Sequence, residues 1–126
     1  MVTFSEAELA YLAAQRLGRL ATIPADGYPQ NNPVGYRYNA ELGTIDIGGH
    51  HLGDSRKFRN VAAHPKATLV VDDIKSLQPW QVRGIEIRGD AEALTDVEPF
   101  RPGLSRELIR IHPTRVISWG LLVPVP

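Results

Sequence analysis

The run Asp54-Ser55-Arg56-Lys57-Phe58-Arg59 places three cations at the start of a helix-like segment. The positive end of a helix dipole lies there, so cations work against local preference and an anion relieves the conflict. Free backbone N–H groups, the Ser55 hydroxyl and the side chains of Arg56 and Lys57 together suit a phosphate. The competing reading is a solvated charged face partly balanced by Asp54. Apart from this run the sequence displays no second basic cluster.

Upstream lies Asp46-Ile47-Gly48-Gly49-His50-His51-Leu52-Gly53. Paired glycines after a strand allow a ligand close to the backbone, and an ordinary loop has the same composition. Adjacent histidines on a strand point to opposite faces, so His50 and His51 do not form a metal pair. With no cysteine and only His64 and His112 elsewhere, a zinc site is short of donors. Gly18-Arg19-Leu20-Ala21-Thr22 faces Gln30-Asn31-Asn32-Pro33-Val34 across a hairpin. Its amides can meet a flat polar ring edge or simply point to water. Trp80 and Trp119 are the two tryptophans. Trp80, in a polar proline-marked stretch, suits an interface or ligand anchor as well as a core, whereas Trp119 reads as core. Nucleophile elbows, P-loops, dinucleotide fingerprints and HExxH patterns are all missing.

These residues need a scaffold of short elements. Ser5 and Glu8 form a capping box, with Phe4 stapling Leu9. Leu9, Leu12 and Ala13 give the helix its apolar stripe, and Gly18 ends it. Strands are expected at Arg19–Ile23, Pro29–Tyr38, Thr44–Gly48, Ala67–Val71, Gly84–Ala93 and Thr114–Leu121. Pro29 and Pro33 mark the second as irregular. Asp-Gly at Asp26-Gly27 turns the first hairpin. A second helix runs over Asp54–Ala63, capped by Asp54 and stopped by Pro65. A loop covers Asp72–Pro79, and a third helix Leu104–Ile111. Ile85, Ile87, Ala91 and Ala93 alternate with Glu86, Arg88, Asp90 and Glu92, and Gly89 suggests a bulge. Six hairpin-linked strands and three short helices favour a mainly β, antiparallel barrel over a parallel sheet.

Composition agrees with one domain over residues 1–126. The chain has 126 residues, 43% hydrophobic and 22% charged, with 14 basic and 14 acidic residues. Zero net charge argues against a nucleic-acid partner. The missing cysteines exclude disulfides and thiolate nucleophiles. No membrane span or secretory leader is visible, so a cytoplasmic protein without a membrane partner is the expectation.

The ordered segments Ala7–Leu12, Gly18–Thr22, Pro33-Val34-Gly35, Thr44–Gly49, Lys57–Val61, Val70–Asp73, Arg83–Gly89 and Arg115–Gly120 carry a resemblance over nearly the whole chain. The sequence resembles the pyridoxamine-phosphate-oxidase-like split β-barrel superfamily. Within it the chain is similar to actinobacterial deazaflavin-dependent oxidoreductases, a subgroup that includes reductases of tetracycline-type precursors. The resemblance implies a six-stranded split barrel, a homodimer and two cofactor sites between its subunits. It implies that Ser55, Arg56 and Lys57 bind the cofactor phosphate and that Asp46, Ile47, Gly48 and Gly49 line the cofactor. Arg19, Leu20, Ala21 and Thr22, with Asn31, Asn32, Pro33 and Val34, would adjoin the tricyclic ring. Trp80 and Arg83 would come from the partner, and Trp119 would reach the site. The implied cofactor is coenzyme F420, with FMN as the alternative. The implied reaction is hydride transfer to an activated C=C bond of a small hydrophobic substrate, with His50 and Tyr36 as candidate proton donors. A non-catalytic deazaflavin or haem binder is the competing class.

Overall fold

The structure is a computed structural model that describes residues 2–121. Helix α1 (Glu6–Ala14) starts at the expected capping box: the Ser5 hydroxyl accepts from the Glu8 amide at 3.1 Å, and the Ser5 amide donates to the Glu8 carboxylate at 2.9 Å. Tyr11 and Leu12, rather than Ala13, form its buried face. The helix ends at a Gln15 cap, three residues before Gly18. Gly18 instead opens β1 (Gly18–Thr22), where an added Cβ would meet Leu69 at 2.8 Å.

Six antiparallel strands close into a barrel in the order β1-β2-β3-β6-β5-β4. The others are β2 (Gln30–Asn39), β3 (Thr44–Gly48), β4 (Lys66–Leu77), β5 (Trp80–Leu94) and β6 (Leu108–Trp119). Strand β2 changes partner midway, pairing Gln30–Val34 with β1 and Gly35–Asn39 with β3. Pro33 therefore lies where β2 is paired on one flank, the position that tolerates a missing N–H. Leu20, Ile45, Ile47, Leu69, Val71, Ile85, Ile87, Ile109 and Ile111 fill the core. Burying such branched side chains stabilises the fold by about 1.5–3 kcal/mol each. Among the described residues no helix is long and apolar enough to cross a membrane.

Three expectations are corrected. The segment Leu104–Ile111 is not a helix, because Leu108 begins β6, which pairs with β5 over its length and with β3 at Ile109–Ile111. Non-local pairing of β-branched residues overrides the local pattern there. The expected loop Asp72–Pro79 is mostly strand. β4 and β5 continue past the barrel as a two-stranded arm, with Ile74 opposite Val82 and Leu77 opposite Trp80. The second helix, α2 (Arg56–Ala63), is capped by Ser55 rather than Asp54, and Asp54 ends a 3-10 turn over Leu52–Asp54.

The β5 alternation appears as expected, and the register against β6 shifts between Arg88 and Gly89. A Cβ on Gly89 would lie 2.1 Å from the backbone oxygen of His112. Gly89→Ala must push two paired backbones apart. It is expected to destabilise by about 3 kcal/mol, the upper range for overpacking, and to lower the melting temperature by about 10 °C. A thermal melt within 2 °C of wild type, taking about that margin as error, would contradict the bulge as the reason for glycine.

Candidate functional site

Helix α2 is positioned by its buried side. Asn60 donates to the Thr22 hydroxyl at 3.0 Å and to the Gln30 side-chain oxygen at 2.7 Å. This pins the helix to the turn end of the β1–β2 hairpin. At about 100° per residue, Lys57 lies on the sector between Asn60 and Val61, the two buried residues of the helix. Lys57 is half-buried and Arg56 exposed. Neither makes an ion pair among the described residues. The first turn of α2 carries no acidic residue, and its leading N–H groups have no intrahelical acceptor. Arg59 turns away and donates to the Asp54 carbonyl at 2.9 Å.

Ser55 is the cap of α2. Its hydroxyl donates to the Leu52 carbonyl at 2.6 Å and accepts from the Phe58 amide at 3.3 Å. Arg56, Lys57 and the leading amides of α2 remain the candidate donors for an anion.

Beside the hairpin a groove of about 550 Å³ is lined by Ala21, Thr22, Ile23, Thr68, Arg88 and Thr114, among others. Ala21 and Asn31 pair across the outer face of the hairpin, and Asn32 projects from the same face of β2 as Gln30. Several expected ring neighbours are elsewhere. Leu20 and Val34 are core residues. Arg19 is ion-paired with Asp72 on the outer wall, and Pro33 lies opposite it.

The expected cofactor wall along β3 is occupied by the protein itself. Ile47 is in the core. Asp46 is fully buried and accepts five hydrogen bonds from four side chains. Arg110 holds it with two hydrogen bonds (3.0 and 3.2 Å), joined by Thr44 (2.9 Å), Asn39 (3.0 Å) and Arg37 (3.3 Å). Burial alone would raise the Asp46 pKa, but the Arg110 guanidinium and the Asn39 and Thr44 donors outweigh it and hold the carboxyl below its usual 3.8. Gly48 and Gly49 lie under the β5–β6 connection, residues 95–107. A Cβ on Gly48 would meet Leu104 at 2.8 Å, and Ser105 donates through its amide to the Gly49 carbonyl at 2.9 Å. This covering explains why alternating residues of β3 are buried on both faces.

The two candidate proton donors differ. Tyr36 is buried, and its hydroxyl donates to the Leu12 carbonyl at 2.7 Å, tying β2 to the end of α1. Burial pushes this phenol up to about 12. Tyr36 acts here as a structural tie, with its hydroxyl proton committed to the Leu12 carbonyl. His50 is exposed, with Nδ1 2.8 Å from the Gly103 carbonyl oxygen. Donation there leaves Nε2 as the free nitrogen.

Trp80, Arg83 and Trp119 form a separate group on the arm. Trp80 is 63% exposed at its tip. Arg83 is ion-paired with Asp73 at 2.8 Å and lies over the Tyr11 ring at 5.2 Å. Trp119 is 38% exposed rather than core, and packs against Gly84. Trp80 begins β5 and Gly89 lies well along it, about 30 Å away at the usual rise of a strand. One chain therefore does not bring Trp80 to the groove.

A match to the pyridoxamine 5'-phosphate oxidase family spans residues 4–120. The 5a,11a-dehydrotetracycline/5a,11a-dehydrooxytetracycline reductase of Streptomyces rimosus is 47% identical over 119 residues, covering 94% of this chain and 84% of that protein. A conserved hypothetical protein of Mycobacterium tuberculosis has the same fold, with a TM-score of 0.72 at 24% identity over 94% of this chain and 86% of that one. An FAD-binding protein of Mycobacterium smegmatis superposes with a TM-score of 0.68 at 18% identity, covering 94% and 97% of the two chains. With the split barrel in place and a reductase at this identity along nearly its full length, the chain is an oxidoreductase that belongs to the pyridoxamine 5'-phosphate oxidase family.

Proposed function

We propose that this protein is a reductase that binds coenzyme F420 by its phosphate at the start of α2 and reduces an activated C=C bond of a flat, hydrophobic, polyketide-like substrate. The observation that carries the reading is the pair Arg56 and Lys57 beside free helix amides, with no carboxylate partner among the described residues. The donor set fits a phosphate, because cations and N–H groups converge on one helix start. The 47% identity to a reductase of dehydrotetracyclines supports the substrate class.

When bound, the reduced coenzyme would supply a hydride to an electron-poor carbon. The chain's own contribution is positioning. Arg56 and Lys57 would hold the phosphate, and the small side chain of Ala21 leaves the groove wall open to a flat ring. His50 is exposed and lies outside the groove lining, so a solvent molecule would supply the proton there.

The reading includes a homodimer. The arm exposes Ile74, Leu77, Trp80 and Val82 beside Trp119. An apolar surface of this kind marks an interface, and only a second subunit can bring a Trp80 to the groove. Haem is disfavoured, because all four histidines are exposed and none lines the groove.

Fluorescence titration with oxidised F420 and, separately, FMN tests the proposal. The expected result is micromolar or tighter F420 binding with clearly weaker FMN binding. Tighter FMN binding would overturn the choice of coenzyme and move the protein to flavin chemistry in the same fold. Binding of neither would overturn the cofactor reading as a whole.

A further inference from the structure

A second cavity, of about 390 Å³, opens between the C-terminal end of α1, the outer side of β2 and the β5–β6 connection. Its walls include Gln15, Arg16, Tyr36, Arg37 and Arg101, and no carboxylate side chain lines it. The three arginines are far apart in sequence, which is why no second basic cluster is visible there. The fold assembles one.

Two of the three guanidinium groups are fixed in advance. Both lie over the Phe100 ring, Arg37 at 4.8 Å and Arg101 at 5.2 Å from its centre. Arg37 also donates to Asp46, and Arg101 donates to the Tyr36 carbonyl at 3.3 Å. Asp46 does not neutralise the cavity, because it is held bidentately by Arg110 and shared with Arg37. Arg16 makes no ion pair among the described residues. The carbonyl end of α1 offsets a fraction of a charge, and the Leu12 carbonyl there already accepts from Tyr36. The cavity keeps a positive surplus, presented by planar forks that match an oxyanion.

We infer that this cavity is a second anion site, which holds a small-molecule ligand by its phosphate or carboxylate group through Arg16, Arg37 and Arg101. It is independent of the cofactor reading, since it shares no residue with the start of α2.

Calorimetric titration of the full chain with inorganic phosphate and, separately, citrate at constant ionic strength tests the inference. The same titrations are run on Arg16→Ala, Arg101→Ala and Lys57→Ala. At least one probe is expected to bind, about tenfold more weakly in each of the two arginine variants, as for loss of one charge-assisted contact. Lys57→Ala should leave one binding event intact. The tighter probe identifies the ligand class. Thermal melts verify that the variants fold, and Arg16→Ala keeps the test readable if Arg101→Ala disturbs the connection. Loss of all anion binding in Lys57→Ala, equal binding in both arginine variants and wild type, or binding of neither probe would overturn the site.

Discussion

Replacing Asp46 with asparagine is expected to destabilise the protein by about 3–5 kcal/mol, the usual effect of removing one partner from a buried ion pair. The melting temperature should fall by about 10–20 °C. The carboxylate is fully buried and serves two arginines and two neutral donors at once. Asparagine keeps the size but removes the charge and turns one acceptor into a donor, leaving Arg110 without its counter-ion. The pH dependence follows from the lowered Asp46 pKa. The folded state binds its proton less readily than the unfolded chain, so the ionised carboxylate contributes fully above the unfolded value of 3.8. That contribution is lost as pH falls through the lower folded value. Denaturant melts should therefore show a constant gap between wild type and Asp46→Asn near neutrality, closing below about pH 4. A gap unchanged at pH 3, on the same reference scale, would mean that packing rather than charge holds this part of the barrel.

Asp46 also shows where sequence reading stops. The resemblance implied that Asp46, like the paired glycines after it, lines a cofactor. Its partners Arg37 and Arg110 reach it only through the β2–β3 and β3–β6 registers. The β5–β6 connection then covers the glycines, a contact with no local signal. Features set by neighbours in sequence were legible: the capping box at Ser5 and Glu8, the alternation of Ile85 and Ile87, and the bulge at Gly89. Only the start of β6, Leu108–Ile111, was misread as helix, because its pattern makes sense only against β5 and β3, whereas the strand expected from Thr114 is present. The arm was misread as a loop for a related reason. Beyond the barrel its strands pair only with each other, so one chain gives them no buried face to mark their periodicity.

The site was legible in part, because its cations oppose a purely local rule. Lys57 and Arg56 stand where a helix prefers acids, and that conflict needs no tertiary information to be seen. The conflict also separates binding from folding in a single variant. Lys57→Glu is expected to weaken F420 binding by about 100-fold or more, since it removes one charge-assisted contact and adds a repulsive one. The same change places an acid in the first turn of α2, where the dipole favours it by about 0.3–1 kcal/mol. The melting temperature should therefore hold or rise by a few degrees while cofactor binding is lost. Raising salt should weaken wild-type binding and leave the variant's residual binding nearly unchanged, because screening acts on the attraction that the variant lacks. Fluorescence titration and a thermal melt on one preparation read both quantities. Wild-type F420 affinity in Lys57→Glu would remove the α2 start as phosphate anchor. Lost binding with a large fall in melting temperature would make Lys57 a packing residue, its half-buried stem the reason for its place on the inner sector of α2.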